Sequence, residues 1–139
     1  MGAMIELTVT TTAREVLVDI TTLVRHALRD AGVRGDGVLH VFSPHTTAGI
    51  TVNEGADPSV ARDLVVALSG LVPRSGDYRH AEGNSDAHVK TSLVGTSAAV
   101  PLVGGAPRLG TWQSLYLAEF DGPRRRAVWL QATTDGVAT

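Results

Sequence analysis

The alternation of apolar and polar side chains predicts a strand near the start of the chain and several more along it. In residues 4–12, MIELTVTTT, Ile5, Leu7 and Val9 alternate with polar residues, which is the period of a half-buried strand. Further segments with strand composition lie at residues 37–43, 48–53, 98–103, 111–120 and 126–133. The turn sequence Asp121-Gly122 between the last two predicts a β-hairpin.

Apolar residues three and four positions apart predict a first helix between these strands. Asp19 has the position and the side chain of an N-cap, and Gly32 lies where a helix stop belongs. The predicted apolar stripe consists of Ile20, Leu23, Ala27, Leu28 and Ala31.

Two more helices are predicted in the middle of the chain. Asp57 and Pro58 have the residue types of a cap and a first helical position, and Pro73 ends the apolar stripe Val60, Leu64, Ala67, Leu68 and Leu71. The third helix covers residues 84–94, with Asn84 or Ser85 as its cap. The order of elements predicts one α+β domain, residues 1–139, with helices packed on a largely antiparallel or mixed β-sheet core.

Composition narrows the class of protein. With 43% hydrophobic and 19% charged residues in 139, the chain has the composition of one globular domain. A net charge of -2 argues against nucleic acid as a partner, and the arginines 124–126 are interpreted as a solvated rim. The chain lacks cysteine, which excludes thiolate metal ligands and cysteine nucleophiles and is consistent with a reducing compartment.

The absence of two kinds of segment sets the expected location. No apolar run approaches the roughly 18 residues that a membrane span needs, and the first residues do not resemble a secretory signal. We therefore expect a cytoplasmic protein that does not interact with membranes. The second methionine at position 4 indicates that residues 1–3 are a cloning remnant.

A polar stretch at residues 78–90, YRHAEGNSDAHVK, concentrates imidazoles and carboxylates in one place. His45 follows a predicted strand, His80 precedes the third helix and His88 lies in its first turns. A loop folded back at Gly83, whose backbone is unrestricted, could bring the rings of His80 and His88 together. Three neutral imidazoles from separate segments are typical of a divalent metal site, with zinc as the best-suited ion. The alternative is an exposed His80 and a helix-surface His88.

Carboxylates and amides lie near the same predicted site. Asn53 and Glu54 end the strand predicted at residues 48–53, where a carboxylate could act as a general base. Glu82, Asp86 and Lys90 are spaced by four, which an exposed i,i+4 ion-pair ladder explains without any function. Whether these three face a pocket is left open by the spacing.

Hydroxyl and amide groups complete a predicted ligand-binding set. Thr46 and Thr47 follow His45 directly, and Thr111 and Gln113 lie beside a glycine further along the chain. The helix that begins near Asn84 presents backbone N–H groups of the kind that bind phosphate or another anion.

Three other residues are assigned away from this site. His26 lies off the apolar stripe of the first helix and is predicted to be solvated. His40 shares a strand face with apolar neighbours, so a place in the core or in an interface is predicted. Trp112 alternates with Ser114 and Tyr116 and is expected in the core.

Three long segments together resemble the YjbQ family, which is also known as UPF0047 and described as secondary thiamine-phosphate synthase. They are HTTAGITVNEGADPSVARDL, YRHAEGNSDAHVKTSLVGTS and LGTWQSLYLAEFDGPRRRAVWL, and the similarity runs from about residue 5 to residue 132. The resemblance implies a homotrimer with pockets near subunit contacts. It also implies that His45, His80 and His88 share one site.

Two classes of function follow. The first is a metal-assisted transferase with weak or secondary thiamine-phosphate synthase activity on small phosphorylated ligands. The second is a module that binds a metal or a small anion without turnover. Glu54 distinguishes them, because an enzyme needs a base within reach of its ligand whereas a binding module does not.

Overall fold

The computed structural model describes residues 2–135 as eight strands and three helices. The strands are β1 (Gly2–Thr10), β2 (Val16–Asp19), β3 (Gly37–Phe42), β4 (Ala48–Glu54), β5 (Ser97–Val103), β6 (Ala106–Pro107), β7 (Gln113–Glu119) and β8 (Arg125–Thr134). The helices are α1 (Thr21–Asp30), α2 (Pro58–Leu71) and α3 (Ser85–Val94). All described strand pairs are antiparallel, which confirms the α+β prediction.

Five strands form one sheet in the order β1-β8-β3-β5-β6. The alternation predicted for β1 is present, because Val9 is buried while its neighbours Thr8 and Thr10 are exposed. β5 contains Pro101 and is flanked on its outer side only by the two-residue β6. This position near the edge agrees with the prediction from the proline.

The other three strands form a second sheet in the order β2-β7-β4. Its central strand β7 is buried on both faces from Leu115 to Glu119. β2 was not predicted, since Val16–Asp19 is too short for a recognisable alternation.

The predicted hairpin of the last two strands is wrong. β7 pairs with β2 and β4, whereas β8 pairs with β1 and β3 in the other sheet. The chain crosses between the sheets at residues 121–124 and binds the β1–β2 connection there. Gly122 N–H donates to the carbonyl of Arg14 at 3.0 Å, and Thr11 N–H donates to that of Arg124 at 2.8 Å. These tertiary hydrogen bonds override the local preference for a hairpin turn.

Both sheets and α1 contribute to one core. Its buried residues are Val9, Ile20, Val24, Leu28, Leu39, Val41, Ala48, Ile50, Val100, Leu102, Leu115, Leu117, Val128, Leu130 and Ala132. The predicted stripe of α1 is partly wrong, because Val24 is buried in place of Leu23, which is 46% exposed, and Ala31 is exposed as well.

The predicted ends of α1 are close to the observed ones. Asp19 Oδ1 accepts a hydrogen bond from Thr21 N at 2.9 Å, although Ile20 occupies the N-cap position. At the other end Gly32 has a φ of +70°, and Val33 N–H donates to the carbonyl of Leu28. This is the pattern in which a left-handed glycine terminates a helix.

α2 begins as predicted, with Asp57 Oδ1 accepting from Ser59 N at 3.0 Å. Its apolar stripe is only partly covered by β2 and β4, and none of its residues is fully buried. Leu71, at the C-terminal end of the stripe, is 75% exposed. α3 packs on β4, and Ala87 joins Ala118 and Phe120 in a small second core.

Two side chains expected in the core lie outside it. His40 is exposed on the outer face of the larger sheet, between Val38 and Phe42, which are each 40% exposed, so its core alternative is wrong and its interface alternative stays a prediction. Trp112 is 66% exposed, because β7 starts one residue after it. His26 is exposed on α1, as predicted.

The remaining observations concern the ends of the chain and membranes. Met1 lies outside the described residues, and Gly2 and Ala3 belong to β1, so the cloning-remnant expectation stays a prediction. Within residues 2–135, each helix falls short of the length and apolar composition that crossing a membrane requires.

Candidate functional site

His45 takes its place from the tight connection between β3 and β4. Ser43 Oγ donates to the carbonyl of Ala48 at 2.6 Å and accepts from His45 N at 3.3 Å, which closes the loop. The imidazole Nε2 accepts a hydrogen bond from the backbone N–H of Ala127 at 2.9 Å. Burial, followed by the positive charge of Arg126, lowers the pKa of His45. The ring is therefore neutral around neutral pH.

The beginning of α3 brings the other two histidines together. Gly83 has a φ of +76°, as the predicted fold-back requires, and residues 80–84 return the chain to the helix start. The rings of His80 and His88 meet edge to face with their centroids 5.3 Å apart. The predicted proximity of these two residues is thus observed. His80 is also 3.7 Å from the exposed carboxylate of Glu82.

The first turn of α3 has no side-chain cap. Asn84 occupies the N-cap position, but its amide nitrogen donates to Asp121 Oδ2 at 2.8 Å instead of capping the helix. Its Oδ1 is buried and has no hydrogen-bond partner among the described residues. The backbone N–H of Ser85 precedes the first position that can bond within the helix, and Ser85 is half-buried, whereas Asp86 is fully buried. The turn therefore keeps one N–H group that can bind an acceptor.

Two adjoining cavities share His45, Thr46 and His88, and together we call them the histidine cleft. One has a volume of about 340 Å³ and is lined in addition by Pro44, Thr47, Glu82, Asn84, Asp121, Arg124 and Arg126. The other has a volume of about 550 Å³ and continues along α3 to Thr91, Ser92, Gly95 and Thr96. Both are of the size that small-molecule sites have in proteins.

A buried ion pair forms the base of the smaller cavity. Arg126, of which 4% is exposed, bonds both carboxylate oxygens of Glu119 and donates to Thr47 Oγ1 at 2.9 Å. Burial opposes ionisation of Glu119, but the hydrogen bonds from Arg126 and Thr11 outweigh it and lower the pKa of the carboxyl. The solvated-rim interpretation is therefore wrong for Arg126, although Arg124 and Arg125 are exposed.

The predicted surface ladder is also wrong. Asp86 and Lys90 do form an i,i+4 ion pair at 2.9 Å, but both side chains are fully buried. Arg14 donates two hydrogen bonds to Asp86, at 3.0 and 3.2 Å, and Lys90 Nζ donates to Glu15 at 3.1 Å. Glu82 takes no part in this network and is exposed. The network holds α3 against the β1–β2 connection, to which Arg14 and Glu15 belong.

The other predicted site residues lie at the opposite end of β4. The seven residues of β4 separate Glu54 from the His45 loop by about 20 Å. Glu54 Oε2 accepts from Ala56 N, and the Gln113 side chain accepts from Gly110 N, each at 2.8 Å. Asn53 and Thr111 belong to the same end of the sheet, since β4 and β7 are antiparallel. Within one chain, none of these four residues lines the histidine cleft.

The predicted three-histidine metal site does not fit this geometry in full. Within residues 2–135, no three His, Asp or Glu side chains are grouped so that they could hold a metal ion. His45 contributes to this outcome, because its Nε2 lone pair is occupied by Ala127 N–H and Nδ1 then carries the ring proton. Metal binding stays a prediction of the resemblance.

Several cleft residues were missed from the sequence. Asp121 and Arg124 line the cleft from the crossing between the sheets, and Thr91 and Thr96 line it from the end of α3. The three consecutive arginines were the available signal for the first group. Thr91 is separated from His88 by three positions on a helix, which places both on one face.

The fold and the cleft define a class of small α+β protein in which a polar cleft opens beside the N-terminus of a helix. The chain belongs to the YjbQ family, since the family model "UPF0047 protein YjbQ-like" matches residues 5–135. The resemblance inferred from the three segments is thereby confirmed.

Relatives and solved structures agree with this assignment. UPF0047 protein MJ1081 of Methanocaldococcus jannaschii is 50% identical over 125 residues, covering 90% of each chain. UPF0047 protein YugU of Bacillus subtilis is 43% identical, covering 90% of this chain and 95% of the relative. The crystal structure of a YjbQ/UPF0047 protein from Clostridium acetobutylicum has 51% identity and a TM-score of 0.86, covering 91% of this chain and 97% of that one. For the hypothetical protein APE1520 of Aeropyrum pernix, the identity is 36%, the TM-score 0.89, and the coverage 96% and 99%.

Proposed function

We propose that the histidine cleft binds a small phosphate-bearing molecule and that the protein is a transferase with weak thiamine-phosphate synthase activity. One observation carries the proposal: the N-terminal turn of α3 is uncapped where the cleft meets it. A phosphate oxygen there would accept from the N–H group of Ser85, and the helix dipole favours its negative charge. Asn84, 9% exposed and with its Oδ1 unpartnered, lines the same cavity and suits a ligand hydroxyl.

The other cleft side chains support an anionic ligand. Arg124 is exposed at the rim, and among the described residues its guanidinium bonds only Asp121, through Nε and Nη2, which leaves Nη1 for the ligand. Thr46 has no hydrogen-bond partner among the described residues, and Thr47 accepts from Arg126, so both hydroxyl protons can be directed to the ligand. Arg126 itself is neutralised by Glu119 and contributes mainly by fixing Thr47.

The reaction that the resemblance supplies suits such a cleft. The thiazole nitrogen of a thiazole phosphate attacks the methylene carbon of hydroxymethylpyrimidine diphosphate. A C–N bond forms, the C–O bond to the diphosphate breaks, and pyrophosphate leaves with the electron pair. The chain would hold the phosphate groups and orient both substrates. No step is assigned to a metal, because His45 does not fit the ligand set.

A homotrimer belongs to the proposal and would give Glu54 a role. In one chain Glu54 is about 20 Å from the His45 loop, so it can act as a base only at the cleft of another copy. The thiazole nitrogen carries no proton, so such a base would take a proton from the pyrimidine amino group as pyrophosphate leaves and return it after the C–N bond forms. The exposed apolar residues of α2 and of the larger sheet leave surface for such contacts. The cytoplasmic location likewise stays a prediction.

Two adjacent arginines provide a matched test of phosphate binding. Arg124 lines the cleft, whereas the exposed Arg125 does not. We expect Arg124→Gln to weaken the binding of pyrophosphate and thiamine phosphate about tenfold, the worth of one charge-assisted hydrogen bond. Arg125→Gln, which changes the net charge equally, should stay within about twofold. Calorimetry at fixed ionic strength measures both, and equal affinities for the two variants would contradict the proposal.

Direct assay of thiamine phosphate formation separates the two classes of function. The transferase proposal expects slow product formation by the wild type and its loss in Arg124→Gln. Tight pyrophosphate binding without any product would instead support the second candidate, a small-anion-binding module. The uncapped turn of α3 supports the binding module as strongly as the transferase, because anion binding without turnover is enough to explain that turn.

A further inference from the structure

His45 lies where one strand of the larger sheet ends and its neighbour continues. The last residue of β3 is Phe42, which pairs with Trp129 of β8. Ala127 is two residues beyond that pair, so β3 offers no carbonyl to its backbone N–H on that side. The imidazole of His45 takes the place of the missing strand and accepts this hydrogen bond at 2.9 Å.

This hydrogen bond fixes the tautomer of the ring. A backbone N–H can only donate, so Nε2 must present a lone pair and the proton of the neutral imidazole must lie on Nδ1. Nδ1 has no hydrogen-bond partner among the described residues, and His45 lines both cavities of the histidine cleft. The ring therefore offers the cleft one N–H donor and no lone pair.

We propose that His45 binds the ligand as a fixed neutral hydrogen-bond donor, through Nδ1–H to an anionic oxygen of the ligand, and is not a metal ligand. The inference rests on the proposed phosphate site for the identity of the ligand. To bind a metal through Nδ1, the ring would have to move its proton to Nε2, where Ala127 N–H already points. Among residues 2–135, no backbone group bonds the rings of His80 and His88 in this way.

The first experiment reads the tautomer directly. Long-range ¹H–¹⁵N spectra of histidine-labelled protein near pH 7.5 distinguish Nδ1–H from Nε2–H rings. We expect the Nδ1–H form for His45 in the free protein, a shift of its proton when inorganic phosphate is added, and no shift on addition of zinc. An Nε2–H form, or a zinc-induced change at His45, overturns the inference. If His45 has the Nδ1–H form but its proton signal does not shift on addition of phosphate, the donor role is overturned. The independent comparison of the Arg124 and Arg125 variants shows whether phosphate binds at all.

Two substitutions separate the donor role from the structural one. The amide nitrogen of asparagine lies near the position of Nδ1, whereas the amide of glutamine reaches that of Nε2. We expect His45→Asn to bind phosphate within about threefold of the wild type and His45→Gln to lose about tenfold. If His45 only supports Ala127, the order is reversed, because glutamine keeps the acceptor. His26→Gln on the exposed face of α1 is the control, and backbone spectra report folding.

Discussion

Removing the carboxylate of Asp86 should destabilise the protein strongly, although the residue lies outside the cleft. Asp86 is fully buried and accepts hydrogen bonds from two cations, Arg14 and Lys90. In Asp86→Asn the ammonium of Lys90 stays buried, and within the described part of the chain Glu15, at 3.1 Å, is the one anionic partner left to it. Breaking a buried ion pair from one side costs about 3–5 kcal/mol. We expect the lower end of that range, because Glu15 remains.

The expected loss is large enough to measure in a chain of this length. About 3 kcal/mol corresponds to a fall in Tm of roughly 10 °C for a domain of this size. Lys90→Met should cost less than Asp86→Asn, since Arg14 still donates two hydrogen bonds to the carboxylate. The order of the two variants therefore tests which partner Asp86 depends on.

The pH dependence follows from the same contacts. Burial opposes ionisation of Asp86, but Arg14 and Lys90 outweigh it and lower its pKa from 3.8 to about 2. A lowered pKa means that the stabilisation is complete above about pH 4 and is lost as the pH falls toward 2. We expect about 1–2 kcal/mol from this carboxylate, less than the full shift implies, because Arg14 is partly exposed and solvent weakens its pairing.

Urea unfolding at pH 7 and at intervals down to pH 2.5 measures both effects. Asp63→Asn is the matched control, because Asp63 pairs with Arg62 at 3.2 Å on the surface of α2, with both side chains at least 70% exposed. That variant should lose less than about 0.5 kcal/mol. Equal midpoints for Asp86→Asn and Asp63→Asn, or the same loss of stability between pH 4 and 2.5 in Asp86→Asn as in the wild type, would refute the reasoning.

Three further predictions concern packing, assembly and chemistry. Gly49→Ala should destabilise by about 1–3 kcal/mol, because its Cβ would overlap the carbonyl oxygen of Gly95. Gly70→Ala, in open space on α2, should instead stabilise by about 0.5–1 kcal/mol. Melting temperatures that change in the same direction for both variants contradict this. Light scattering should report three times the 14.5 kDa chain mass, and a particle of 14.5 kDa at micromolar concentration rules out the trimer. Glu54→Gln should leave phosphate binding unchanged and cut thiamine phosphate formation about 100- to 10,000-fold; unchanged turnover would remove Glu54 from the chemistry.

Local patterns were sufficient for most elements but not for their pairing. The alternation around Val9 and the cap at Asp57 each depend on a few neighbouring residues, so the sequence alone predicted β1 and the start of α2. The division into two sheets depends on contacts between distant residues, such as Thr11 with Arg124. No short-range signal reports that β7 pairs with β2 and β4.

The same distinction applies to the candidate site. His80 and His88 could be predicted to meet, because one glycine and one helix start join them. The i,i+4 spacing also predicted the pair of Asp86 and Lys90, but its burial depends on Arg14, 72 positions from Asp86 in the chain. Glu54 was expected near the histidines as a carboxylate at a strand end, but β4 lies between them and puts Glu54 about 20 Å from the His45 loop.

The position of the bound phosphate tests the central claim most directly. Backbone ¹H–¹⁵N spectra of the assigned protein can be recorded while inorganic pyrophosphate is added. A phosphate at the uncapped turn of α3 should move the amide resonance of Ser85 most, together with those of Thr46 and Thr47. The account is contradicted if these three amides stay unchanged, or if the largest shifts fall at the Glu54 end of β4.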